Sequence, residues 1–185
     1  PKDNIERAIK KGTGELEGEK LEQFSFEACG PGGTALIIEG ITDNMKRTLG
    51  EIKQILSAKK GKLVSEGAVR WMFEQKGCLV AKLDSQSESL KNKEKLEMAA
   101  IESGPEDLEW EADTLFIYTK PEDLDKIKKT LEEKGVETDS AYLSWVSKER
   151  IKINKEILEE CQSLFEALDE NDSIQDVFSN FETEE

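Results

Sequence analysis

The lysines and arginines between positions 44 and 76, together with the glycine-rich loop before them, are the parts of this chain whose types and spacing suggest chemistry. Lys46, Lys53 and Lys60 stand seven apart, so on a helix they drift by only about 20° per step and line one edge. Arg47, Lys62 and Arg70 extend that edge into a patch of the kind that phosphate oxygens require. The blander reading is that Lys59 and Lys60 complement a helix dipole while the others form a solvated face. Gly30-Pro31-Gly32-Gly33 could present backbone N–H groups to an anion. It lacks the Gly-Lys-Ser/Thr ending of a nucleotide-hydrolysing loop, and its Pro-Gly-Gly composition fits a plain hairpin reversal better.

Other chemistries are harder to build. The chain has no histidine, which removes the Ser-His-Asp triad, the Cys-His dyad and the commonest general base. Cys29, Cys78 and Cys161 are odd in number and widely spaced, arguing against a disulfide framework and a zinc site and for a reducing cytoplasm. Cys29 reads as a small packing residue rather than a nucleophile. Asp107, Glu109, Glu111 and Asp113 alternate along an extended segment and fit a solvated hairpin face better than a metal site. Phe116 and Tyr118 alternate as base-stacking residues can, but core packing is the favoured expectation. The chain is therefore expected to be no enzyme, with no catalytic residue, metal or cofactor.

Formal charge is −15 over 185 residues. Residues 44–76 hold eight Lys and Arg against three Glu, a local net of +5 that leaves −20 on the remainder. Screening over about 8 Å at physiological salt lets such a patch act nearly alone, so net acidity does not forbid a phosphate-rich partner. The longest apolar run, from Ala35 to Ile38, falls far short of the roughly 18 residues that a membrane span needs.

The elements that must position these residues follow from periodicity. Leu21–Cys29 and Thr34–Ile41 read as a hairpin around the glycine loop. Thr42-Asp43-Asn44 offers helix caps, and Met45, Leu49, Ile52 and Leu56 recur at helical spacing until Lys59-Lys60-Gly61 closes the helix. Val69–Lys76 reads as a third strand. From Cys78 a βαββαβ order follows: strand Cys78–Leu83, helix from about Ser87 to Ser103, two strands within Asp107–Lys120, helix Pro121–Lys134 and strand Ala141–Val146. Such a unit closes into a split-βαβ, ferredoxin-like sandwich. A helix from Asn154 with Ile157, Cys161, Leu164 and Leu168 on one face, then a strand from Ile174 to Phe181, completes the first unit.

Pro1–Gly14, reading Pro-Lys-Asp-Asn-Ile-Glu-Arg-Ala-Ile-Lys-Lys-Gly-Thr-Gly, strongly resembles a signature of the YebC family. These are bacterial proteins named probable transcriptional regulators, whose mitochondrial relatives are translational activators of cytochrome oxidase. Gly30-Pro31-Gly32-Gly33, Thr42-Asp43-Asn44 with Arg47-Thr48, Val69 followed by Trp71-Met72-Phe73, Pro121-Glu122-Asp123 and Ile174-Gln175-Asp176-Val177 follow in the family's order. Phe26-Glu27-Ala28-Cys29, Met45-Lys46 and Lys60-Gly61-Lys62 depart from its pattern.

The resemblance implies an α/β (α+β) chain of two ferredoxin-like domains, one inserted into the other, preceded by the end of a helical, basic N-terminal domain. The expected limits are 1–14 for that helical end, 15–77 plus 150–185 for the discontinuous domain, and 78–149 for the insert. The opening at Pro1, with residues 1–11 reading as helix, leads to the expectation that a preceding segment is missing. The expected function is regulation of transcription or translation through DNA or RNA, with phosphate contacts from Lys46, Arg47, Lys53, Lys60, Lys62 and Arg70 that position backbones rather than read bases. The alternatives are a ribosome-associated or protein-contacting translation factor and, further off, a small-ligand sensor. Neither the nucleic-acid target nor the oligomeric state follows from the residues.

Overall fold

The computed structural model describes residues 20–183, so the Pro1–Gly14 signature and its expected helix lie outside the described residues. In chain order the described residues form β1 (Glu22–Cys29), β2 (Ala35–Thr42), α1 (Met45–Ala58), β3 (Lys62–Leu63), β4 (Phe73–Lys82), α2 (Lys93–Ile101), β5 (Asp107–Glu111), β6 (Thr114–Thr119), α3 (Leu124–Glu133), β7 (Ser140–Ser147), β8 (Ile151–Ile153), α4 (Lys155–Asp169), β9 (Ile174–Ser179) and β10 (Phe181–Thr183). Mixed α+β architecture results, with antiparallel pairing in the four-stranded sheets and a short parallel pair of β8 and β10. Contacts divide the chain into two compact units, one running to Glu74 and resuming at Ser147, the other Gln75–Val146. The second thus interrupts the first in sequence, and the boundary falls inside β4.

In the first unit the strands run in the order β3-β1-β2-β9. β1 and β2 pair antiparallel from Glu22 opposite Thr42 to Cys29 opposite Ala35. Alternation sends Phe24, Ala28, Leu36 and Ile38 to one face, where Ile52 and Leu56 of α1 and Leu164 and Leu168 of α4 close the core. The continuous apolar run Ala35–Ile38 is buried on both faces, each of its four residues being no more than 2% exposed. Asparagine caps start both helices: Asn44 Oδ1 accepts from Arg47 N–H at 3.1 Å and Asn154 Oδ1 from Ile157 N–H at 3.0 Å. Beneath the first cap, the Thr42 and Thr48 hydroxyls meet at 2.7 Å, satisfying two buried polar groups together.

The second unit has the order β5-β6-β4-β7, that of a split-βαβ sandwich. Leu79, Ala81, Leu115 and Ile117 face α2 and α3, which contribute Leu96, Ala100, Ile127 and Leu131. Phe116 and Tyr118 do not join this core, because strict alternation puts them on the other face, where both are half-buried and Tyr118 Oη donates to Glu109 at 3.3 Å. α2 starts at Lys93 rather than near Ser87, capped by Asn92, whose Oδ1 accepts from Lys95 N–H at 3.3 Å. The expected strand Val69–Lys76 is instead a 3-10 turn over Arg70–Met72 running into β4, which continues through Gly77 without a break. No helix among the described residues is long and apolar enough to cross a membrane.

Gly40 marks a shift of register between β2 and β9, where the chain of Ser173 crosses close by. A Cβ there would stand 2.0 Å from the Ser173 carbonyl oxygen and 2.7 Å from Phe24 Cζ. Gly40→Ala should therefore destabilise the protein by about 1–3 kcal/mol, read from the midpoint of denaturant unfolding. We also propose that residues 75–146 are an autonomous inserted domain. Expressed alone, they should unfold cooperatively on heating, and a broad, non-cooperative melt would show that they need the first unit.

Candidate nucleic-acid interface

α1 carries the helical part of the basic patch. Burial of Thr48, Ile52 and Leu56 orients the helix and leaves Lys46 and Lys53 exposed on its outer side. Neither lysine has an ion-pair or hydrogen-bond partner among the described residues. Arg47, between them, is held by Asp43 and by Glu51, whose Oε1 lies 3.7 Å from its Nε. The stripe then ends, because α1 stops at Ala58 and Lys60 lies beyond it at φ 60°. Lys60 Nζ donates instead to Glu160 of α4, and that hydrogen bond and charge raise its pKa. Lys59 donates to Ser163 Oγ at 2.7 Å.

The other expected members sit elsewhere. In β3, Leu63 stands opposite Ala28 and joins the helix-side core, so Lys62, opposite Cys29, faces the reverse side of the sheet. Lys62 is exposed and has no partner among the described residues. Arg70 is on that reverse side too, but its guanidinium is engaged: Nη2 donates to Ser25 Oγ at 2.7 Å and Nε lies 3.3 Å from Glu27 Oε1. The structure therefore splits the six cations into a helix group of Lys46, Arg47 and Lys53 with Lys60 turned to α4, and a sheet group of Lys62 and Arg70.

Glu27 is the residue that organises the sheet group. It is 3% exposed, and its carboxylate accepts from the backbone N–H groups of Gly67 at 2.7 Å, Val69 at 2.8 Å and Arg70 at 2.9 Å. Burial alone would raise its pKa, but these three donors and the Arg70 charge outweigh it and hold the carboxyl below its ordinary value. The clamped segment presents Trp71, whose side chain is 65% exposed. Sequence periodicity missed both residues. The available signal was a lone carboxylate inside the apolar stretch Phe24–Ala28, on the face that Ile37 shares.

The glycine loop is a tight reversal rather than an open anion cradle. Gly30 N–H donates to Thr34 O at 2.8 Å, while Gly33 and Thr34 N–H close onto Gly30 O and Pro31 O at 3.3 Å. Gly32, at φ 65°, lies against α4, where a Cβ would come 2.6 Å from Ile157 Cγ2. Burial pushes the Cys78 and Cys161 thiols up, away from thiolate chemistry. Asp107, Glu109 and Glu111 share the outer face of β5, Asp113 pairs with Lys93 at 3.2 Å, and no group of three or more Cys, Asp or Glu among the described residues could hold a metal ion.

A family model described as the TACO1/YebC second and third domain matches residues 21–181. A probable transcriptional regulatory protein of Halothermothrix orenii is 43% identical over 183 residues, covering 98% of this chain and 71% of its own length. One from Thermotoga maritima is 39% identical over the full 185 residues, again 71% of its own length. The crystal structure of a conserved hypothetical protein from Aquifex aeolicus superimposes with a TM-score of 0.86 at 39% identity, covering all of this chain and 74% of that one.

Because the folded pKa of Glu27 lies below its ordinary 4.5, its contribution is complete above that value and is lost as pH falls through the folded value. Glu27→Gln should cost about 1–3 kcal/mol at neutral pH and flatten the acid limb of stability against pH. Thermal melts from pH 3 to 7 measure both, and an unchanged acid limb would remove Glu27 from the account.

Proposed function

The chain belongs to the TACO1/YebC family, and from that premise we propose that it is a non-enzymatic regulator of gene expression that holds nucleic acid by its phosphate backbone. The supporting observation is that Lys46, Lys53 and Lys62 are exposed and unpartnered among the described residues, within a segment of net +5. Arg47, Lys60 and Arg70 already face carboxylates and add less, since an engaged cation must leave one anion to reach another. Contacts of this kind carry no base information, so they place the chain on a nucleic acid without choosing a sequence.

Three available ammonium groups set a small electrostatic footprint. Because Lys62 lies on the reverse side of the sheet from Lys46 and Lys53, one duplex meets at most two of them, and log K should fall with log salt at a slope of about −2 on duplex DNA and about −1 on single strands. Reversing Lys46, Lys53 and Lys62 to Glu should weaken binding at least tenfold and flatten the slope. Fluorescence anisotropy at four salt concentrations measures this. A salt-independent affinity, or one untouched by the triple reversal, favours a protein-contacting or ribosome-associated factor, whose partner would meet the acidic remainder of the chain.

A further inference from the structure

We propose that Trp71 is a stacking platform for an unpaired base, so that the nucleic acid held by this chain is single-stranded where it crosses the reverse face of the first sheet. The proposal rests on the nucleic-acid reading above and adds the substrate class and a residue outside the basic set.

Trp71 combines exposure with a fixed position. Of the three tryptophans it alone is exposed, at 65%, whereas Trp110 and Trp145 are half-buried. Its indole is not loose. Nε1–H donates to Ala68 O at 3.1 Å, Met72 N–H closes onto Val69 O at 2.9 Å, and the Glu27 carboxylate fixes the N–H groups of Gly67, Val69 and Arg70. From the other side, Lys148 Nζ donates to Trp71 O at 3.0 Å and Lys148 N–H to Met72 O at 2.9 Å. A ring fixed in this way loses little entropy when it stacks.

The same contacts select the kind of partner. With its N–H committed to Ala68, the indole offers a π-face and no hydrogen-bond donor, which suits stacking that tolerates any base. The bases of a duplex are already stacked on each other, so only an unpaired base can take this place. The surroundings supply counter-charge: Lys148 is exposed with no carboxylate partner among the described residues, and Lys62 lies on the same sheet face. An aromatic beside ammonium groups that reach backbone phosphates is the combination by which proteins track single strands.

The test uses the full chain with a 20-nucleotide oligo(dT), a 20-nucleotide oligo(U) and a blunt 20-base-pair duplex in low salt. Either single strand should quench tryptophan emission saturably. Trp71→Ala should weaken single-strand binding about tenfold with little change on the duplex, while Trp71→Phe should keep most of the affinity and lose the quench. Unchanged melting midpoints show that both variants fold. If Trp71→Ala leaves single-strand affinity unchanged while the Lys46, Lys53 and Lys62 reversal abolishes it, the platform is refuted and the phosphate reading survives. If the wild-type chain binds none of the three probes, both fail, and the exposed indole is then an anchor for a protein.

Discussion

The carboxylate of Glu27 sits between a sheet and the loop that covers it, where water cannot solvate it. Two oxygens with no solvent must find donors in the protein, and the N–H groups of Gly67, Val69 and Arg70 together with the Arg70 guanidinium provide them. The dependence is mutual, since the Val69 N–H is buried in a turn with no strand partner and would otherwise lack an acceptor. One side chain thus lets an irregular segment close the reverse face of the first sheet, shelter Ile37 and carry Trp71 outward.

Charge in this chain is spent locally before it is available to a partner. Arg47, Lys60 and Arg70 each meet a carboxylate, and of these Arg70 alone is tied to a buried one. The paired exposed cations add little to stability, and their chief effect is to subtract from the surface field. What remains is a sparse set of ammonium groups on two separate faces, against an overall charge of −15. A weak, salt-sensitive hold is the expected behaviour of such a surface, and an aromatic contact would matter more here than on a densely basic protein. On β9 the opposite economy operates: burial and the facing Glu39 raise the pKa of Asp176, so two carboxylates share one rung of the ladder.

Much of the architecture was legible because it is written in short-range chemistry. The hairpin follows from Gly30–Gly33, α1 from its Asn44 cap and apolar spacing, and α4 from Asn154 with Ile157, Cys161, Leu164 and Leu168. The βαββαβ order of the second unit follows from alternating periodicities, and the YebC resemblance from several motifs in order. The candidate site was legible only in part. A seven-residue spacing puts Lys60 in line with Lys46 and Lys53 on an endless helix, but the real helix ends two residues earlier. The face that Lys62 takes depends on its pairing with Cys29, more than thirty positions away, and the Glu27 clamp joins residues 40 or more apart. Nothing local announces such contacts. Phe116 and Tyr118 were misplaced for a simpler reason: on a strand whose alternate residues are Leu115 and Ile117, the aliphatic pair took the core.

The turn after α1 places Lys60, not glycine, at φ 60°. A side chain there works against the backbone preference of that region, and the contact with Glu160 offsets part of the cost. Exchange with glycine trades a relaxed turn against a surface ion pair, two small effects of opposite sign. Replacing Lys60 by glycine should accordingly change folding stability little, while removing one positive charge at the end of the helix that bears Lys46 and Lys53. The charge at this helix end is thus set almost independently of the fold beneath it.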